Sequence, residues 1–338
     1  MPTQSLSSPS HHAAPAHQPP AAMRATGVVG VLAVVIAIVA IAFALPAARS
    51  KPHDVPIGAA GPQAASGQVA DILEHNAPGA FDITYYPGEA ALRDAIRSRD
   101  VYGGISFGPD GRTLLIATGA SPTVAQLLSQ VGTGIAQHAG VALRTEDVAP
   151  PTADDPRGAG LAASGLPITL AGLLPAVALV LVLRREVWTR FAAAVVFAGL
   201  AGATIAALLR FVLGSIDANF WGVAGGLALG ALASGLSMLG LGSLFGRAGL
   251  AVGALLALLL GNPLSGLTSA PELLPSGWGA LGQWLPQGAN ATLLRSTAFF
   301  GGSGATMAIV VLAGWAIAGA ALIVIAAVRT GKGGRLPG

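Results

Sequence analysis

Six apolar stretches divide the 338 residues of this chain, and their spacing is unequal. One stretch, Gly27–Leu45, stands alone near the N-terminus and is followed by a more polar region, 46–163. The other five come in close succession, at about 164–183, 191–212, 222–244, 248–264 and 306–328. About 20 apolar residues cross the hydrocarbon core of a bilayer as a helix. The pattern therefore predicts an α-helical polytopic membrane protein with six transmembrane helices, arranged as one plus five.

The composition agrees with a membrane protein and excludes several other classes. Only 10% of the residues are charged, and the mean hydropathy is +0.68. The net charge of +3 does not indicate nucleic acid as a partner, because the basic residues flank apolar stretches instead of forming a patch. The absence of cysteine excludes disulfides, zinc–thiolate sites and thiol catalysis.

The Lys and Arg residues near the ends of the stretches predict the orientation, since cytoplasmic connections are enriched in them. If the N-terminus is cytoplasmic, the inside segments carry Arg24, Arg184, Arg185, Arg190, Arg247, Arg329, Lys332 and Arg335. The short outside connections carry only Arg210 and Arg295. We therefore expect a multi-pass protein of the plasma membrane with both termini in the cytoplasm and residues 46–163 outside the cell.

The two ends of the chain and the first stretch can be interpreted before any fold is known. Residues 1–26 and 329–338 are expected to be cytoplasmic tails, the first of them disordered because it is rich in Pro, Ala, Ser and His without periodicity. Gly27–Leu45 is interpreted as an uncleaved anchor. Ala42-Phe43-Ala44 also fits the cleavage site of a secretory signal, which leaves that alternative open.

The region 46–163 predicts a small α+β domain between linkers. Pro46–Gln68 is rich in Pro, Gly and Ala and is expected to be a linker. Alternation and apolar periodicity then predict strands at 81–86, 101–107, 112–118 and 143–148, with helices at 88–99 and from Ser121. The order βαββαβ predicts a ferredoxin-like fold.

The connection before the last stretch, 261–295, has too many apolar residues for a solvated loop and too many Pro and Gly for a continuous helix. Trp278 and Trp284 favour the membrane interface, and irregular backbone at depth must be covered by protein or face water. We expect short re-entrant helices, with an interfacial cap as the alternative. The candidate residues of a transport path or outer gate are Arg210, Asp217, Asn262, Pro263, Glu272, Pro275, Trp278, Trp284, Pro286 and Arg295. For Arg210, snorkelling to the interface is favoured over a role in the path.

The motif search argues against an enzyme. There is no phosphate-binding loop, no H-E-x-x-H and no G-x-S-x-G, and residues 164–338 contain no histidine. We expect no catalytic residue, no metal and no cofactor. Small residues recur every four positions at Gly222, Gly226, Gly230 and Ser234, which predicts a close helix contact either within the bundle or between subunits.

Taken together, these features resemble the membrane subunit of ABC-2-type exporters, closest to the phage-infection-protein branch. One local pattern carries the resemblance beyond architecture: Asn262-Pro263-Leu264-Ser265-Gly266, Leu274-Pro275, Trp278, Leu285-Pro286, Gly288-Ala289 and Arg295. The resemblance implies a permease that exports a hydrophobic or amphiphilic solute, energised by a separate cytoplasmic ATP-binding subunit. It also implies docking of that subunit at Arg184, Arg185, Glu186, Trp188 and Arg190.

The expected partners are membrane lipid, the ATP-binding subunit and a second permease copy, as a homodimer or heterodimer. The insertion at 46–163 is shorter than in typical members of that branch. A non-transporting scaffold, an accessory subunit of a secretion system or a surface receptor is the alternative function.

Overall fold

The computed structural model describes residues 20–108, 111–138, 140–183 and 186–333. The chain divides into two compact units, one ending at Ile41 and one beginning at Ala42. The first helix, α1 (Ala21–Ala48), is apolar over its length and begins before residue 27, so residues 21–26 are helical and not part of a disordered tail. The rest of the predicted N-terminal tail, residues 334–338 and the predicted turn residues 109–110 lie outside the described residues.

The polar region folds as a five-stranded mixed sheet with helices between the strands. The strands are β1 (Val55–Ala60), β2 (Phe81–Tyr86), β3 (Gly103–Gly108), β4 (Gly111–Ile116) and β5 (Leu143–Asp147). The helices are α2 (Gln63–Asn76), α3 (Glu89–Ser98) and α4 (Pro122–His138). The strand order is β2-β1-β3-β4-β5; β1 runs parallel to both neighbours, β3 and β4 are antiparallel, and β4 and β5 are parallel.

The predicted ferredoxin-like topology and the predicted linker 46–68 are both wrong, for one reason. Residues assigned to the linker form β1 and the start of α2, and β1 takes an interior position between β2 and β3. Its sequence looks like a linker because it has to be small: a Cβ at Gly58 would lie 2.2 Å from Cδ1 of Leu92. A Cβ at Gly104 of β3 would lie 2.1 Å from the Gly58 carbonyl oxygen. The close approach of backbone and helix therefore dictates glycine here.

The other predicted elements of this domain are present within a few residues of their expected bounds. The apolar faces of α3 and α4 bury Leu92, Ile96 and Val124 completely, as their helical spacing predicts. Arg93 pairs with Glu89 at 2.8 Å on α3 and also contacts Glu146 of β5.

The remaining helices form a bundle. They are α5 (Ala159–Ala163), α6 (Gly165–Val182), α7 (Val187–Ala207), α8 (Phe220–Leu256), α9 (Trp278–Gln283), α10 (Pro286–Phe299) and α11 (Thr306–Gly333). A π-helical turn extends α7 over Leu208–Val212 and another extends α8 over Ala257–Gly261. The bundle core includes the fully buried Leu239, Leu312 and Ile323, while large apolar side chains such as Phe211 and Trp221 are exposed.

Five helices among the described residues are long and apolar enough to cross a membrane: Ala25–Ala48, Ala159–Val182, Val187–Val212, Phe220–Gly261 and Thr306–Arg329. This is the pattern of a membrane protein, and it matches four of the six predicted spans one to one. The predicted span 222–244 falls within Phe220–Gly261, and so does the predicted span 248–264 except for its last three residues.

That long helix is folded back on itself at Gly246, whose φ of 60° and ψ of −137° are not helical. A Cβ at Gly253 would lie 2.6 Å from the sulfur of Met238, and one at Gly249 would lie 2.2 Å from the Leu241 carbonyl oxygen. In a straight helix, residues 238 and 253 would be about 22 Å apart. The segment is therefore a helical hairpin with two antiparallel arms, 220–245 and 247–261.

The hairpin predicts different effects for two glycine substitutions that both have room for a methyl group. Gly246→Ala should destabilise the protein by about 1–3 kcal/mol, because an L-residue rarely adopts this backbone conformation. Gly225→Ala lies in a regular helical turn and should be neutral or slightly stabilising. The thermal unfolding midpoint of the detergent-solubilised protein measures both. Equal midpoints for the two variants would contradict the turn at Gly246.

Candidate functional site

The segment between the hairpin and α11 contains the irregular backbone that its Pro and Gly content predicts. After Gly261 the chain forms a loop in which Gly266 has φ 70°, a single 3₁₀ turn at Pro271–Leu273, and then the two helices α9 and α10. Proline stands at the first position of α10, where its missing N–H costs nothing.

The sheet domain rests directly on this segment through five hydrogen bonds among the described residues. The backbone N–H of Lys51 donates to the Leu273 carbonyl at 3.1 Å and that of His53 to the Glu272 carbonyl at 3.0 Å. The Ser50 hydroxyl also donates to the Leu273 carbonyl, at 2.7 Å. Two side chains of the domain complete the contact, with the Tyr102 hydroxyl donating to Oε2 of Glu272 at 2.8 Å and Nη1 of Arg99 to the Thr292 carbonyl at 3.0 Å.

Between these contacts lies a cavity of about 450 Å³, which is our candidate site. This volume is within the usual range for small-molecule pockets. Its ionisable and polar lining comes from three parts of the chain: His53, Asp54, Arg99 and Tyr102 from the sheet domain, Glu272 and Ser276 from the loop, and Gln283, Thr292 and Arg295 from the two short helices. The cavity therefore exists only because the domain and the segment 262–299 are packed together.

The electrostatics of the cavity follow from its partial burial. Burial raises the pKa of the Tyr102 phenol, and the neighbouring Glu272 carboxylate raises it further, so the phenol stays a neutral donor. Burial lowers the pKa of the Arg99 guanidinium, although Tyr102 and Glu272 oppose that shift. Arg99 also lies over the ring of Phe300, with its guanidinium carbon 5.4 Å from the ring centre.

Arg295 holds the loop in place. Its side chain is 8% exposed, and its guanidinium donates to the carbonyl oxygens of Gly266, at 2.7 Å, and Leu267. Although the sequence places Arg295 in a short outside connection, its side chain is buried. The physical reason is that the turn at Gly266 leaves two carbonyls without backbone partners, and one guanidinium satisfies both.

The helix α10 is buried on nearly all sides although it is polar. Gln287, Asn290, Ser296 and Thr297 are each less than 9% exposed. Asn290 lies against Gly230 of α8, where a Cβ would be 2.3 Å from its amide carbon, and Gln287 lies against Gly261 in the same way. Oδ1 of Asn290 is buried and has no hydrogen-bond partner among the described residues.

These contacts account for the small-residue stripe of α8 as packing within the bundle. Gly226 faces Leu293 and Gly230 faces Asn290, both on α10, and Ser234 faces Gly172 of α6. Gly222 faces the side chain of Asn219, close by on the same chain.

The other predicted path residues are spread over this end of the bundle. Trp278 at the start of α9 and Trp284 just after its end are exposed, and Pro286 is buried at the start of α10. Asn262, Pro263, Glu272 and Pro275 are half-buried in the loop. Arg210 donates to the backbone carbonyl of Asp217, whose exposed carboxylate is not its partner. Arg210 and Asp217 do not line the cavity.

The predicted docking residues are at the start of α7. Glu186 is exposed and Trp188 is 62% exposed, whereas Arg190 is 5% exposed with Nε lacking a partner among the described residues. Arg184 and Arg185 lie outside the described residues.

Sequence reasoning missed Arg99, Tyr102 and Asp155. Asp155 joins the domain to α5: it accepts bonds from the N–H groups of Ala159 and Gly160 and from the Ser215 hydroxyl, each at 2.7–2.8 Å. Burial favours a higher pKa for Asp155, but these donors outweigh it and lower the pKa. The signal that was available is an aspartate shortly before a helix start, although it lies three residues before the N-cap, Gly158, and not at the cap position itself.

A scan against protein-family models, a search of curated proteins and a search of solved structures each gave no match.

Tyr102→Phe should loosen the contact between the domain and the loop, because it removes the only side-chain donor to Glu272 among the described residues. We expect the free energy of unfolding to fall by about 1–3 kcal/mol. Hydrogen exchange of the loop amides near Glu272 should become faster. Tyr85→Phe is the matched control, since Tyr85 is 54% exposed. Unchanged exchange in Tyr102→Phe would show that the hydrogen bond does not hold the loop.

Asp155→Asn should destabilise the protein, while the exposed neighbour Asp154→Asn should not. Because the folded-state pKa of Asp155 is lowered, its stabilisation is present above the ordinary aspartate pKa and is lost as the pH falls through the folded value. The difference in unfolding midpoint between wild type and Asp155→Asn should therefore be largest near neutral pH and shrink in acid. A difference that stays constant into acid would argue against the charged cap.

Proposed function

We propose that this chain is the membrane permease subunit of an ABC-2-type exporter that moves a hydrophobic or amphiphilic solute with energy from a separate ATPase. The observation that carries the proposal is α10, a polar helix buried inside a bundle that is otherwise apolar. Polar groups are expensive at membrane depth and usually mark a pathway for a solute or ion. Broken helices near the binding site are common in transporters.

The proposal counts six membrane crossings. α1, α5 with α6, α7, the two arms of the hairpin and α11 each cross once, which keeps both termini in the cytoplasm as the Lys and Arg distribution predicts. The second arm, 247–261, is about 22 Å long at 1.5 Å per residue, shorter than the ~30 Å hydrocarbon core. The loop after it would therefore begin within the membrane.

On this topology the segment 262–299 enters and leaves the membrane on the side of the sheet domain. Two contacts support this. Glu272 meets Tyr102 before α9, and Phe299 at the end of α10 meets Gly119, where a Cβ would be 2.7 Å from its ring. Both ends of the α9–α10 pair thus lie beside the same domain, as a re-entrant pair requires. The domain itself would be extracytoplasmic.

A route for an apolar solute is offered by a second, smaller cavity of about 140 Å³ within the bundle. It is lined mainly by apolar side chains of α6, both hairpin arms and α11, including Leu173, Met238, Leu256 and Trp315. Gln287 of α10 closes one side of it. A cavity this small holds part of a solute, so the proposal places a full pathway between two copies, as a homodimer or heterodimer.

The ATPase would dock at the start of α7, through the exposed Glu186 and Trp188 and the neighbouring Arg184 and Arg185. Because Arg190 is buried, we propose that it does not contact the ATPase directly. Its side chain inside the bundle would instead transmit motion of the docking loop to α7.

Trp188→Ala should reduce co-purification of an ATP-binding subunit and ATP-dependent uptake of a fluorescent amphiphilic dye into inverted vesicles by about tenfold or more, because an exposed aromatic anchor often dominates an interface. Trp221→Ala is the matched control, since Trp221 is 79% exposed at the opposite end of the bundle. Both variants should insert normally. If no ATP-binding subunit co-purifies with the wild-type chain and uptake never depends on ATP, the chain is instead a non-transporting scaffold or receptor.

A further inference from the structure

The cavity between the sheet domain and the loop has more positive charge in its interior than its own side chains neutralise. Arg99 and Arg295 both line it, and Glu272 is the carboxylate beside them. Oε2 of Glu272 already accepts the Tyr102 hydroxyl. The other acidic lining residue, Asp54, is exposed at the rim.

The cavity lining also has hydrogen-bonding groups without a partner among the described residues. A guanidinium has five N–H donors, and within the part of the chain that the structure describes Arg99 uses one hydrogen bond, from Nη1 to Thr292. Nδ1 of His53, also in the lining, is buried and has no partner among the described residues. A buried polar atom without a partner is unfavourable, so a ligand that hydrogen-bonds to these groups would remove that cost.

We infer that this cavity binds a phosphate group, with Arg99, Arg295 and His53 as the residues that contact it. A phosphate has enough acceptor oxygens to be shared by two guanidinium groups and an imidazole, and arginine matches its geometry with paired N–H donors. The inference concerns binding alone and does not depend on whether the chain transports a solute.

The phosphate could be free or could be the headgroup of an amphiphile, and α9 bears on the choice. Gly279, Ala280 and Gln283 of this helix line the cavity. Trp278, Leu281 and Trp284 are exposed, and tryptophan favours the boundary between headgroups and acyl chains. A phosphate in the cavity could thus carry an alkyl chain that leaves along an apolar surface.

The test is equilibrium binding to the full-length chain in dodecyl maltoside, an uncharged detergent, with dodecyl phosphate and inorganic phosphate as separate probes. We expect saturable binding of at least one probe and a loss of about tenfold or more in Arg99→Gln. Tighter binding of dodecyl phosphate identifies an amphiphile headgroup, whereas equal affinities identify free phosphate; both outcomes support the phosphate site.

The matched control is Arg97→Gln, because Arg97 lies two residues before Arg99 near the end of α3, is 61% exposed in its side chain and does not line the cavity. Its affinity should equal that of the wild type. If Arg99→Gln does not fold, His53→Ala provides the second variant and should weaken binding in the same direction. The inference is overturned if neither probe binds the wild type, or if the folded Arg99 or His53 variant binds as tightly as the Arg97 control.

Discussion

The contact on which this architecture depends is the one between the Arg295 guanidinium and the carbonyl oxygens of Gly266 and Leu267. Backbone that leaves helical geometry inside a membrane protein must find its hydrogen bonds in the protein itself. The loop after the hairpin does leave it, and its positive φ at Gly266 turns the chain away from the second arm. One buried side chain from α10 supplies the missing donors, which ties the loop to the helix that follows it.

That tie determines where the sheet domain rests. With the loop fixed, Leu273 and Glu272 offer their carbonyls to residues 50–53, and the Glu272 carboxylate meets Tyr102. On the other side, Arg99 reaches the Thr292 carbonyl of α10 itself. The domain is therefore bound to both halves of the segment, so any displacement of α10 relative to the loop would pull on two separate points of the sheet domain. A polar cavity at this junction is in a position to respond to such movement.

The long apolar helices were predictable from the sequence and the sheet order was not, because the glycines of the sheet are required by neighbours distant in sequence. Long apolar runs identify the membrane helices without any knowledge of their neighbours, because bilayer thickness alone fixes the required length. Gly58 and Gly104 are instead set by neighbours distant in sequence, since each must admit another backbone or the side chain of Leu92. In a single sequence such glycines look like those of a linker, and β1 was therefore assigned to the linker. Without β1, the order of the four remaining strands and two helices suggested the wrong topology.

The same ambiguity concealed the character of α10. Its Pro, Gly and polar content did indicate a broken segment. The burial of Arg295 could not be deduced, because an arginine beside short helices fits a solvated surface as well as a packed core. A packed core is recognised by the glycines that face the polar residues of α10: Gly230 lies opposite Asn290, and Gly261 lies opposite Gln287. Each amide occupies the space that a side chain on the apolar arm would otherwise fill, so the polar helix and the glycine-rich hairpin specify each other. A larger residue at Gly230 would expel Asn290 and remove the buried amide that makes this bundle more than an apolar anchor.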